Sequence, residues 1–138
     1  GNTQLVAEAI AEGAAEAGIR NIIVHNLSVS QPSNVLRDVF KYRGVALGGP
    51  TYNTGLFSYV DEFVKHLAER EVSRHKLAIF GGFSWAGQAV KILRSYNETM
   101  KMEEVGTGLE WKQGAKAEVL KQARELGRQL GEAVKNPA

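Results

Sequence analysis

Cysteine is absent from the 138 residues of this chain, and histidine and proline occur only three times each. The lack of cysteine excludes disulfides, thiolate-held iron–sulfur clusters, cysteine zinc sites and a thiol nucleophile. The three histidines are not spaced as metal ligands, so we expect no metal site. The chain also lacks an apolar run of about 18 residues, as a membrane span requires, and a recognisable secretory signal. We therefore expect a cytoplasmic protein that does not contact membranes.

A dominant charge is missing as well. The 17 Lys and Arg residues and 15 Asp and Glu residues give a net charge of +2. This excess is too small and too interspersed to indicate nucleic-acid binding. Apolar residues make up 43% of the chain, which is enough for one core. We therefore expect one domain over residues 1–138, a common single-domain size.

Helical and strand patterns alternate along the chain. Apolar residues at helical spacing predict helices at about 3–17, 34–42, 60–67, 87–98 and 115–134, with Gly18 ending the first. Short β-branched or all-apolar runs predict strands at 21–25, 44–49 and 76–81, and a broken strand around 104–109. Strands without polar alternation are typical of parallel sheets buried on both faces. The pattern therefore predicts an α/β layer fold, which binds ligands beyond the carboxyl ends of its strands.

Three loops stand out at those ends. Residues 1–4 open the first helix with capping residues and a glycine, which suits a phosphate or an ordinary helix cap. Residues 49–55 combine turn formers, hydroxyls and an aromatic, typical of a binding loop or a plain polar turn. Residues 81–87 place two aromatics among glycines, and these rings would either bind a ligand or fold back onto the core. Together the loops indicate a pocket for a flat ring with a phosphate tail.

The residues of these loops resemble the three FMN loops of flavodoxin-like domains. The motifs are Gly1-Asn2-Thr3, Gly49-Pro50-Thr51-Tyr52-Asn53 and Phe80-Gly81-Gly82-Phe83-Ser84-Trp85-Ala86-Gly87. They are most similar to the C-terminal flavodoxin domain of flavodiiron proteins (A-type flavoproteins), and the resemblance covers essentially the whole chain. It implies a doubly wound parallel sheet of five strands in the order 2-1-3-4-5.

The resemblance also implies a cofactor site for FMN. Asn2, Thr3 and neighbouring amides would hold the phosphate. Ring contacts would come from Thr51, Tyr52, Asn53, Phe83 and Trp85, with Gly1, Pro50, Thr54, Gly82, Ser84 and Gly87 completing the site. No catalytic side chain is expected, because the flavin performs the redox chemistry.

The function implied is electron transfer. Flavodiiron proteins pass electrons from a donor such as rubredoxin through FMN to a diiron centre, which reduces oxygen or nitric oxide. The diiron domain would belong to the same or a neighbouring chain, and a homo-oligomer is left open. A pI near 8.9 departs from the acidic character of free-standing flavodoxins. It suits a domain of a larger protein, or an acidic donor.

Two further departures from the family concern the loops and the first strand. Gly82 stands where the family often has Ser, and Ser84 where it often has Gly. Either Gly82 provides the glycine peptide that can flip towards the reduced flavin, or the flip is lost. The first motif begins at residue 1, so the strand that should precede it is absent. We therefore expect the domain to be truncated at its N-terminus, with further residues upstream.

Three alternative functions share features with this sequence. Residues 82–86 follow a strand and precede a helix, as does the nucleophile elbow of α/β-hydrolases, but no histidine follows His75 to serve that serine. A flavodoxin-type NAD(P)H:quinone oxidoreductase would also bind FMN, although its second loop more often continues with Arg-Phe than with Tyr52-Asn53. The third alternative is a binding module without flavin.

Overall fold

The computed structural model of the chain describes residues 2–23, 43–52, 55–56, 63–67, 75–83, 89–112 and 117–135. Residues 63–67 are helical. The helices with defined bounds are α1 (Asn2–Glu16), α2 (Ala89–Met100) and α3 (Ala117–Lys135). The strands are β1 (Gly44–Tyr52), β2 (Gly55–Leu56), β3 (Lys76–Phe83), β4 (Glu103–Glu104) and β5 (Leu109–Lys112).

The main strands β1, β3, β4 and β5 pair in parallel, as the apolar runs predicted, and the two-residue β2 pairs antiparallel with the end of β1. β1 pairs with β3 from Gly44↔Lys76 to Pro50↔Gly82. On the other side of β3, β4 pairs with its beginning and β5 with its end, both in parallel. β1 and β3 correspond to the third and fourth of the five expected strands, and β4 and β5 together correspond to the broken fifth. The order 2-1-3-4-5 is therefore confirmed only in part. The predicted helix at 34–42 lies outside the described residues.

Helices cover both faces of the sheet. Leu77 and Ile79 of β3 are fully buried in a cluster with residues 63–67 and α2. Ala78 and Phe80 point to the opposite face and belong to a cluster with α1 and α3. Burial on both faces explains why these strands read as continuous apolar runs. Among the described helices, none is long and apolar enough to cross a membrane.

The end of α1 follows the prediction made from Gly18. Gly18 adopts a left-handed conformation with φ of 100°. Its N–H donates to Ala15 O at 2.9 Å, and the Ile19 N–H donates to Ala14 O at 3.1 Å. This pair of bonds is a Schellman motif, which glycine permits because it carries no Cβ. The helix therefore stops at the expected place.

The backbones of α1 and α3 lie in direct contact. A Cβ added to Gly127 would overlap the Ile10 carbonyl oxygen and lie 2.7 Å from the carbonyl carbon. A Cβ on Gly13 would overlap Arg124 O in the same way. Lys135 Nζ donates to Ala17 O at 2.7 Å, near the end of both helices. Residues 10–13 of α1 meet residues 124–128 of α3, whereas Ala17 meets Gly131 and Lys135, so the two helices are parallel.

Two strand predictions need correction. The strand expected at 21–25 is wrong for residues 21–23, which are irregular, with Ile23 49% exposed, and residues 24–25 lie outside the described residues. A strand needs a hydrogen-bonding neighbour, and none of the described strands pairs with these residues. The broken strand expected around 104–109 is confirmed as broken, but its longer part lies later than predicted, at Leu109–Lys112.

Arg94 stabilises the segment between β4 and β5. Arg94 Nε and Nη2 donate to the two carboxylate oxygens of Glu104 at 2.8 and 2.7 Å, and Nη2 also donates to Thr107 O at 2.9 Å. The hydrogen bond to Glu104 raises the pKa of the Arg94 guanidinium. Gly106 and Gly108, at φ of 76° and 83°, provide the left-handed turns.

Candidate functional site

The N-terminus of α1 lies at the carboxyl edge of the parallel sheet. A Cβ added to Gly44, at the start of β1, would lie 2.8 Å from Val134 Cγ2 near the end of α3. The end of α3 is therefore at the amino edge of the sheet, and α3 runs antiparallel to the strands. Because α1 is parallel to α3, its first turn must lie at the opposite, carboxyl edge.

The first turn of α1 is chemically suited to a phosphate. It begins at Asn2, one residue earlier than predicted, and contains no acidic residue. Asn2 and Thr3 are thus inside the helix, where their backbone N–H groups have no intrahelical partner. Free N–H donors and the positive end of the helix dipole attract an anion. With no carboxylate to compete, this donor set fits the phosphate group of FMN.

The carboxyl ends of β1 and β3 lie side by side at the same edge. Pro50 pairs with Gly82 in the register of the two strands. The predicted loop at 49–55 is wrong for its first part, because Gly49–Tyr52 continue β1 and Tyr52 turns back to pair with Gly55. Gly82 and Phe83 likewise continue β3 instead of beginning a loop. Proline and glycine favour turns, but here Pro50 and Gly82 extend the parallel pairing that the preceding residues of β1 and β3 have already formed.

The structure brings several predicted site residues to this one edge. Asn2 and Thr3 lie in the first turn of α1, Pro50, Thr51 and Tyr52 at the end of β1, and Gly82 and Phe83 at the end of β3. The remaining predicted site residues lie outside the described residues: Gly1, Asn53, Thr54, Ser84, Trp85 and Gly87. Their roles stay predictions.

Sequence reasoning missed two residues at the end of β5. Trp111 pairs with Gly82, and Lys112 pairs with Phe83, so both reach the edge where β3 ends. Leu109 and Trp111 are buried, whereas Glu110 and Lys112 are exposed. Strict apolar–charged alternation over four residues was the signal that could have placed the strand here. Within the described part of the chain, no cluster of three or more His, Cys, Asp or Glu residues is arranged to hold a metal ion.

A sheet of parallel strands with a helix N-terminus at its carboxyl edge is the arrangement found in many nucleotide-binding α/β proteins. Comparison with known families is more specific. Residues 1–127 match the family model described as flavodoxin. The chain therefore belongs to the flavodoxin family, whose cofactor is FMN.

Known relatives include flavodiiron proteins. The chain is 30% identical to the type A flavoprotein fprA of Rhodobacter capsulatus over 132 residues, 96% of this chain and 30% of the relative. It is 28% identical to the anaerobic nitric oxide reductase flavorubredoxin of Escherichia coli over 130 residues, 94% of this chain and 27% of the relative. The chain thus spans less than a third of the length of these relatives.

Solved structures agree on the fold. The flavodiiron core Flv1 from Synechocystis superposes with a TM-score of 0.93 at 22% identity, covering 100% of this chain and 34% of that one. Rubredoxin oxygen:oxidoreductase from Desulfovibrio gigas superposes with a TM-score of 0.91 at 20% identity, covering 97% of this chain and 33% of that one. These matches confirm the predicted flavodoxin-like α/β fold.

Proposed function

We propose that this chain is the electron-transfer domain of a flavodiiron-type oxygen or nitric oxide reductase. In this proposal FMN at the carboxyl edge of the sheet receives electrons from a donor protein such as rubredoxin. A diiron centre in another domain, of the same or a neighbouring chain, then receives them. The observation that carries the proposal is the convergence of the α1 N-terminus with the ends of β1 and β3 at one edge.

The phosphate of FMN is assigned to the first turn of α1. Backbone N–H groups of Asn2 and Thr3, with Gly1 allowing close approach, would hold the dianion without a cation. In support, none of the first four residues of α1 is acidic. The phosphate would fix one end of the cofactor, so its ring must lie over the neighbouring strand ends.

The ring is assigned to the ends of β1 and β3 and the segments that follow them. Thr51, Tyr52 and Asn53 would contact it from one side, and Phe83 and Trp85 from the other. Pro50, Thr54, Gly82, Ser84 and Gly87 would shape the backbone around it. When bound, FMN supplies the electron-accepting and electron-donating chemistry. The chain orients the ring and excludes water, and no side chain is required as an acid or base.

An acidic donor protein fits the charge of this edge. Lys112 lies exposed at the end of β5, and Lys91 lies exposed in the first turn of α2, which follows β3 in the chain. Cations near a redox site speed the encounter with an acidic partner. A cytoplasmic location belongs to the same proposal, since such donors are soluble carriers, and cell fractionation tests it.

Stopped-flow reduction of the FMN-loaded protein tests the proposed function. Reduced rubredoxin should reduce the flavin at a rate that falls with salt, whereas NAD(P)H should not. Direct reduction by NAD(P)H with turnover of a quinone would instead identify a quinone oxidoreductase. A purified protein that takes up no FMN, with no flavin absorption after reconstitution, would reject both functions.

We also propose that a further parallel strand, from outside the described residues, pairs with the free edge of β1. The Lys76 N–H donates to Arg43 O at 2.8 Å. Backbone groups of successive strand residues point to opposite edges of the strand, so those of Arg43, Val45 and Leu47 face β3. The N–H groups of Gly44, Ala46 and Gly48 therefore face the other edge. Among the described strands, β2 reaches this edge only at Thr51 and Tyr52, and none pairs with Gly44–Gly48 there. Slow amide exchange at Ala46 and Gly48 in the intact protein would support the extra strand, and rapid exchange there would reject it.

A further inference from the structure

One row of paired residues crosses the sheet at its carboxyl edge. Pro50 of β1 pairs with Gly82 of β3, and Gly82 pairs with Trp111 of β5. Two members of this row belong to the assigned flavin site, and the third does not. Trp111 is 6% exposed, so its indole is packed inside the protein rather than offered to solvent.

The indole of Trp111 occupies the space that a side chain at position 82 would need. A Cβ added to Gly82 would lie 2.8 Å from Cε2 and 2.9 Å from Cζ2 and Nε1 of Trp111. Carbon atoms pack at about 3.5–4.0 Å, so the ring covers the glycine at close range. An aromatic ring lying over a glycine of the adjacent strand is a known way to stabilise such a position.

A second pair, two residues earlier along β1 and β3, has the same arrangement of a ring over a glycine. A Cβ added to Gly48 of β1 would overlap the ring of Phe80 in β3. Phe80 and Trp111 belong to one buried cluster, together with Val6 and Ile10 of α1. The same face of the sheet therefore connects the strand ends near the proposed ring site with the helix that carries the phosphate end.

We infer that Trp111 is a positioning residue of the flavin site. Its indole fixes the last residues of β3 against the helix layer, and thereby sets where the Gly82–Phe83 peptide meets the cofactor. The residue at 82 must be glycine as long as Trp111 is present. This inference rests on the proposed function and adds a residue that lies outside the three loops.

A double-mutant cycle tests the coupling. Gly82→Ala introduces the Cβ that the indole excludes, and Trp111→Leu removes the indole. Each single variant should weaken FMN binding by roughly tenfold or more, whereas the double variant should recover much of that loss because the added methyl has room. Dissociation constants come from flavin fluorescence titration, and the midpoint potential of the bound flavin is measured for each variant.

Leu109→Ala is the matched control. Leu109 lies in the same strand and cluster, is buried to a similar degree and does not pair with Gly82. This variant should lower thermal stability without changing the potential. Trp111→Phe, which keeps a smaller ring, should give an intermediate loss and serves if the leucine variant does not fold.

Two results would overturn the inference. One is a Trp111→Leu variant, or Trp111→Phe in its place, that loses stability as Leu109→Ala does but keeps the wild-type FMN affinity and potential. The other is simple additivity of the two single changes in the double variant. A wild-type protein that binds no FMN would reject the proposed function instead, so the two failures are distinguishable.

Discussion

Replacing Gly127 by alanine should push α1, the helix proposed to hold the FMN phosphate, away from α3. The new Cβ would overlap the Ile10 carbonyl oxygen and lie 2.7 Å from the carbonyl carbon. Carbon atoms need about 3.5 Å, so α1 must retreat by roughly 1 Å. Backbone atoms cannot swing aside as a flexible side chain can, so the cost falls at the upper end of overpacking, about 3 kcal/mol.

Helix propensity opposes this cost. Alanine is better than glycine in a helix interior by about 1 kcal/mol. The net destabilisation expected for Gly127→Ala is therefore about 2 kcal/mol, or a fall in Tm of roughly 5–10 °C for a domain of this size. Urea unfolding of the FMN-free protein measures it, with the slope checked for two-state behaviour.

Gly131→Ala is the matched control, one turn later in α3. Its Cβ would meet the Ala17 methyl at 2.8 Å and Ala14 at 3.3 Å, without overlapping a carbonyl oxygen. We expect a smaller loss, of about 1 kcal/mol or less, after the propensity gain. If Gly127→Ala is as stable as the wild type, or no less stable than Gly131→Ala, the reasoning about backbone contact is wrong.

The same variant should discriminate between two ligands. FMN and riboflavin differ by the phosphate, so the ratio of their affinities reports the contribution of the α1 N-terminus. Displacing α1 should lower FMN affinity by roughly tenfold while leaving riboflavin binding nearly unchanged. An equal loss for both ligands would mean that Gly127 affects the ring site or the whole fold instead.

Three further outcomes are expected. Trp85→Ala should weaken FMN binding and raise flavin fluorescence, because an aromatic face against the ring contributes about 0.5–1.5 kcal/mol; no change in either would make Trp85 a core residue only. FMN affinity should vary little with salt, since neutral donors hold the phosphate, and a steep loss would show that a basic side chain such as Lys112 reaches it. Arg94→Ala should cost about 1 kcal/mol by urea unfolding, because the pair with Glu104 is partly exposed, and should leave FMN affinity unchanged. Because the pKa of Arg94 is raised, the guanidinium stays charged at alkaline pH, and the stability lost in Arg94→Ala should be the same there as at neutral pH. If this loss disappears at alkaline pH, the ion pair with Glu104 is not its cause.

Much of the fold could be predicted from local pattern. The runs at 44–49 and 76–81 read as buried strands because their side chains alternate between two apolar layers, so no polar face interrupts them. Gly18 was predictive because a left-handed helix stop favours glycine. Residues 21–23 show the limit of this reasoning, since β-branched composition alone provides no neighbouring strand.

The sequence predicted three loops that meet at one edge of the sheet, and the structure places the first residues of the second and third loops in the strands themselves. Pro50 and Gly82 were assigned to turns because of their residue type, but register pairs them with each other. Trp111 was missed because its contribution depends on the strand opposite it, 29 positions earlier in the chain. Pairing across strands leaves no short-range signal, so this part of the site required the structure.

The contact between α1 and α3 sets an order of events during synthesis. Lys135 and Ala17, which close the contact, are 118 positions apart in the chain. A ribosome makes roughly 5–20 residues per second, so α1 waits several seconds for the helix that fixes it. The packing that fixes α1 against α3 is therefore completed only after nearly all of the 138 residues have been made.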